Sequence, residues 1–70
     1  MDIIINMKWD PEANVWVAVN DDIGLVLESG SYDALVERVR YATPELLELN
    51  NIKDCKEIKF ITEVRSMAVA

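Results

Sequence analysis

The side chains best suited to chemistry in this 70-residue chain are carboxylates, one thiol and two indoles, and histidine is absent. Asp10, Asp21 and Asp22 are acids of the type that hold the cations of two-metal nucleases, where paired carboxylates place a metal-bound water against phosphate. Acids in loops are more often solvated turn residues, so no metal site is assigned to them. Asp10-x-Glu12-x-Asn14 imitates the start of a calcium loop, but Val15 stands where glycine is required and Asp21 where a bidentate glutamate is required. Cys55 lies between Lys53 and Lys56, cations that favour a thiolate, yet no base or orienting group stands beside it. Packing is the better reading of this thiol. Trp9 and Trp16 flank a turn and could stack a base, but without surrounding positive charge a cross-strand packing or interface role is favoured.

Without histidine the chain lacks the side chain best suited to proton transfer at neutral pH. With Gly24 and Gly30 its only glycines, it carries no phosphate loop, dinucleotide fingerprint or nucleophile elbow. The expectation is a protein that is not an enzyme and needs no cofactor. Thirteen acids against seven bases give a net charge of −6, and Lys8, Arg38, Arg40, Lys53, Lys56, Lys59 and Arg65 are scattered among carboxylates. That pattern opposes nucleic acid and anionic membranes and suits a basic protein partner. Met1-Asp2-Ile3 lacks a signal peptide's positive start, and the longest apolar run, Val15 to Val19, is far shorter than the roughly 20 residues of a spanning helix. A cytoplasmic location is expected.

These side chains need elements to position them. Ile3 to Trp9 alternates as a strand, and Asp10-Pro11-Glu12-Ala13-Asn14 has the chemistry of a hairpin loop: Asp accepts backbone hydrogen bonds, Pro presets φ, and Asn tolerates the left-handed region. Val15 to Asn20 is the return strand. After Asp21-Asp22-Ile23-Gly24, a third strand runs from Gly24 to Ser29. Ser31 can cap a helix that starts at Tyr32, with Asp33 in the first turn at the positive end of the dipole. Leu35, Val39, Ala42, Leu46 and Leu49 form one helical stripe. Pro44 interrupts it, by a kink or by a stop near Ala42 followed by a short second helix with Thr43 as cap. Asn50-Asn51 closes the helical region, and Glu57 to Arg65 returns to period two, with Ile58, Phe60, Thr62 and Val64 on one face; residues 66–70 carry no clear signal.

The order β-β-β-α-β predicts one α+β domain spanning residues 1–70, a mixed four-stranded sheet with the helix on one face and the last strand parallel to the first. Area scaling for 8.0 kDa gives roughly 4,400 Å² folded against roughly 11,600 Å² extended, so only about 60% of the surface is buried. The single cysteine forbids an intrachain disulfide, and oligomerisation is the remaining way to gain stability. The helix is expected to cover Ile3, Ile5, Val15, Val17, Leu25, Leu27, Ile58 and Phe60. The other face then holds Ile4, Trp16, Ala18, Val26 and Ile61, a candidate interface for a homodimer, a higher assembly or a partner.

The run Val15-Trp16-Val17-Ala18-Val19-Asn20-Asp21-Asp22-Ile23-Gly24-Leu25-Val26, then Ser31-Tyr32-Asp33-Ala34-Leu35 and Thr43-Pro44-Glu45-Leu46-Leu47-Glu48-Leu49-Asn50, resembles the short HicB-like domains of bacteria and archaea. The Trp9-to-Ala13 turn and the last strand extend the likeness over nearly the whole chain. The resemblance implies a truncated ribonuclease-H-like sheet without working catalysis. It also implies an antitoxin that binds and masks a small basic messenger-RNA-cleaving toxin of the HicA type. Longer relatives add a DNA-binding segment, which is expected to be missing here. Two alternatives stand beside this reading: a homo-oligomeric binding or assembly module, and a residual metal-dependent nuclease using Asp10, Asp21 and Asp22.

Overall fold

Alternating β-branched and aromatic residues build four strands, and a capped run of helix formers builds one helix. The computed structural model describes residues 2–63. The elements are β1 (Asp2–Asp10), β2 (Val15–Asn20), β3 (Leu25–Ser29), α1 (Tyr32–Leu49) and β4 (Glu57–Glu63). They form one mixed sheet in the order β3-β2-β1-β4, with β1 antiparallel to β2 and parallel to β4. The expected α+β architecture is therefore present. Val64 and Arg65, placed in the last strand by periodicity, and residues 66–70 lie outside the described residues.

The local chemistry of the turns is as the residue types require. Asp10 Oδ1 accepts hydrogen bonds from the backbone N–H groups of Glu12 at 3.0 Å and Ala13 at 3.3 Å. Asn14 takes φ +54° before the return strand, and Gly24 takes φ +66° at the entry to β3. Ser31 caps α1 by accepting from the Ala34 N–H at 3.3 Å. At the other end Asn51 is left-handed (φ +56°), with Ile52 N–H donating to the Leu47 carbonyl at 2.8 Å and Asn51 N–H to that of Glu48 at 3.0 Å. This is a Schellman closure made with asparagine in place of glycine.

Of the two possibilities at Pro44, a kink or a stop near Ala42, the stop does not occur, because one helix runs from Tyr32 to Leu49 through Pro44. Thr43 is consequently not a cap. It is fully buried, and its Oγ1 donates to the Val39 carbonyl at 2.7 Å. Pro44 is tolerated because it sits on the exposed side, and Arg40, whose carbonyl loses its i+4 donor, is exposed too. The buried stripe is Leu35, Val39 and Thr43, flanked by half-buried Val36, Ala42, Leu46 and Leu47, while Leu49 is solvent-facing. The helix lies over β2 and β3 and buries Ile3, Ile5, Met7, Ala18, Ile23 and Leu25 against Leu35 and Val39.

Replacing Pro44 by alanine restores the missing donor on the exposed side of the helix. The P44A variant should be more stable by about 1–3 kcal/mol, read from urea unfolding, because proline costs about 3 kcal/mol relative to alanine inside a helix. An unchanged or lower midpoint would show that the proline compensates elsewhere.

Candidate interaction surface

In an antiparallel pair, residues directly opposite each other project to the same face of the sheet. Across the first hairpin Asp10 pairs with Val15, Trp9 with Trp16, Lys8 with Val17, Met7 with Ala18 and Asn6 with Val19. Odd-numbered residues of β1 therefore share a face with even-numbered residues of β2. The helix-covered face carries Ile3, Ile5 and Met7 beside Trp16, Ala18 and Asn20. The outer face carries Ile4, Asn6 and Lys8 beside Val15, Val17 and Val19.

This register corrects the expected surface. Of the five residues assigned to it, Ile4, Val26 and Ile61 do face outward, at 42%, 70% and 52% exposure. Trp16 and Ala18 do not: Ala18 is fully buried and Trp16 is packed against the core. Val15 and Val17, expected beneath the helix, stand outside with Val19. The missed signal was loop length. With Pro11 to Asn14 as the loop, Asp10 and Val15 are forced opposite each other, and the odd separation switches the parity of β2.

The two tryptophans confirm the register. Their ring centroids are 5.5 Å apart at 61°, and Trp16 meets Tyr32 at 5.0 Å and 78°, forming an edge-to-face series beside the helix start. Tyr32 and Thr62 complete it with a 2.7 Å hydroxyl hydrogen bond from α1 to β4. Both indoles are thus in the cross-strand packing role favoured for them.

The outer face has an ordered pattern. Val26, Val19, Asn6 and Ile61 lie side by side across β3, β2, β1 and β4. In the adjoining row stand Glu28, Val17, Lys8 and Glu63. On the other side lies Ile4, with Lys59 beside it on β4. Lys59 Nζ is 3.2 Å from Asp2 Oδ2, and this hydrogen bond, the charge of Asp2 and that of Glu57 hold the ammonium above the ordinary lysine range. Both partners are well exposed, so the pair orders the margin of the face rather than stabilising the fold.

One end of the face is closed by the loop that follows β2. Asn20 is buried, its Nδ2 donates to the Ile4 carbonyl at 2.8 Å, and its Oδ1 accepts from the Ile23 N–H at 3.1 Å. Ile23 is held in the core, and Asn50 Nδ2 reaches the Ile23 carbonyl at 3.4 Å from the end of α1. Asp21 and Asp22 are left exposed. Together with Asp2, Ile4 and Ile61 they line a shallow depression of about 470 Å³.

The candidate chemical groups are not brought together. Asp10 sits at the hairpin end of the sheet and Asp21 follows the opposite end of β2, about 17–20 Å away at 3.3 Å per residue. Asp10 moreover spends its carboxylate on the turn. Among the described residues no three metal-ligating acids, cysteines or histidines gather into a site. The nuclease alternative thus loses its ligand set. Cys55 is half-buried against the core, and its thiol donates to the Glu57 carbonyl at 3.6 Å. Among the described residues no helix is long and apolar enough to cross a membrane.

Fold and surface define a small acidic α+β protein with one sheet face packed and the other open. A model of a domain of unknown function, DUF1902, matches residues 2–69, and the chain belongs to that family. A hypothetical protein from the extremely thermophilic bacterium Thermus thermophilus has a similar crystal structure. Its TM-score is 0.76 at 31% identity, with 99% of this chain and 100% of that one covered. No curated protein matches.

Asn20 carries the arrangement of the acidic loop, so N20A should destabilise the chain by about 2–3 kcal/mol, leaving the Ile4 carbonyl and the Ile23 N–H unpaired. Hydrogen exchange at the Ile23 amide should accelerate more than the global loss of stability explains. Equal acceleration at all core amides would show that the asparagine does not hold this loop.

Proposed function

We propose that this chain is a non-enzymatic, HicB-like antitoxin of the cytoplasm that binds and masks a small basic ribonuclease of the HicA type. The observation that carries the reading is an uncovered, half-apolar sheet face on a chain of net charge −6. Exposed apolar surface of this kind marks a protein contact, and the charge selects a cationic partner. The β-β-β-α-β order and the ordered run from Val15 to Asn50 support it through their resemblance to HicB-like domains. On this reading the protein acts by steric masking and needs no metal, cofactor or nucleic acid of its own.

The test is inhibition of a purified cognate HicA-like ribonuclease. Messenger-RNA cleavage should stop at stoichiometric amounts of this protein, and binding should weaken as salt is raised from about 50 to 500 mM, because screening shortens the reach of the charges. Full cleavage activity in its presence would sink the reading. Native mass spectrometry of the tagged protein from its host separates this from the homo-oligomeric alternative: a second, small basic chain supports masking, and a homo-oligomer alone supports assembly.

A further inference from the structure

The outer face has an uneven chemistry that points to what covers it. Its middle is the strip Val26, Val19 and Ile61, continued by Ile4, with the uncharged Asn6 set among them. Asp2, Glu28, Glu57 and Glu63 stand along this side of the sheet, and Asp21 and Asp22 close one end. Lys8 and Lys59 are the only cations of the strands among the described residues, and Lys59 is engaged by Asp2. The helix carries Arg38 and Arg40 against Asp33, Glu37, Glu45 and Glu48, so the open face, with six acids against Lys8 and Lys59, is the more acidic side.

We infer that the outer sheet face is the docking surface for a cationic segment of a partner protein. Its apolar side chains lie along Ile4, Val19, Val26 and Ile61, and a lysine or arginine enters the depression formed by Asp2, Asp21 and Asp22. This deepens the proposed function and rests on it for the partner's basic character. A second copy is the poorer occupant. It would join two chains of net −6 with these carboxylates at the margin of each, which raises self-repulsion. A cationic partner relieves that repulsion and covers the same apolar strip.

The experiment uses the full chain, 15N-labelled, and three synthetic peptides of about twelve residues, enough to cross the sheet. One alternates lysine with leucine, one lysine with serine, and one glutamate with leucine. Amide shifts should appear at Ile4, Val19, Val26, Ile61, Asp21 and Asp22 with the first peptide. Affinity should fall by about tenfold or more with the second, about 1.4 kcal/mol, and vanish with the third. The double variant V26K/I61K, altered only at exposed positions, should stay folded by circular dichroism and lose the first peptide about tenfold or more. Shifts on the helix around Tyr41 and Leu49, equal binding of the glutamate peptide, no binding, or a homodimer that V26K/I61K dissociates would each overturn the inference. The two readings fail separately. If V26K/I61K inhibits the ribonuclease as well as the parent does, the docking surface is wrong and masking stands. If the peptide docks on this face but the parent does not inhibit, masking is wrong and the surface stands.

Discussion

The pairing of Asp10 with Val15 across the Pro11-to-Asn14 loop governs the sheet, because it decides which side of β2 faces the helix. A side-chain period of two leaves no intermediate option: shifting the partner by one residue would turn every valine of β2 inward and Trp16, Ala18 and Asn20 outward. The loop is held to this register from several directions. Asp10 accepts from the next turn's amides, Pro11 presets the backbone, Asn14 takes the left-handed step, and Trp9 and Trp16 close against each other. The β2–β3 register then follows the same logic, placing Leu25 and Leu27 with Ala18 and leaving Val26 beside Val19 on the open side.

The register also puts a polar residue in the core. Asn20 is buried among isoleucines and leucines, yet neither end of its amide is orphaned, since one donates to the Ile4 carbonyl and the other accepts from Ile23. Among the described residues no buried side-chain polar atom lacks a partner. A satisfied network of this kind costs little and fixes geometry, because only one arrangement of loop and strand pairs every group. Asn50 adds a second tie from the helix end. The loop that presents Asp21 and Asp22 is therefore set by interior contacts, although both acids are in water.

Element order, strand direction, the Ser31 cap, the Asn50-Asn51 closure and the left-handed Asn14 could all be read from the residues, since each depends on local chemistry. Two features could not. The face of β2 depends on a loop length that alternation alone does not report, because Val15-Trp16-Val17-Ala18-Val19-Asn20 is apolar on both sides. The continuity of α1 through Pro44 depends on packing: Leu35, Val39, Thr43 and Leu47 hold both halves to one sheet, and the exposed side absorbs the missing hydrogen bond. Thr43 shows the same override. Its hydroxyl serves the Val39 carbonyl in the helix interior rather than a new helix start. The candidate surface was half readable for the first reason: Ile4, Val26 and Ile61 follow from the alternation of their own strands, whereas Trp16 and Ala18 inherit the parity error of β2.

Among the described residues the one helix covers one face of the four-stranded sheet, and no second layer lies on the other. The edges are nevertheless protected. Arg38 Nη1 donates to the Glu28 carbonyl of β3 at 2.7 Å, and β4 places Glu57, Lys59 and Glu63 at alternate outward positions. Charges on edge strands discourage pairing with another sheet. The middle of the open face carries no acid, for there Val19 and Val26 face each other and Ile61 lies beyond the uncharged Asn6 in the same row. Isolated apolar residues on a surface need no explanation, but a row that crosses the sheet between charged margins combines two signals. The apolar row favours contact, and the negative margin discourages contact with a like-charged copy while favouring a cationic one. The open face thus sets an apolar row between charged margins, and it is this combination that the proposed cationic partner would meet.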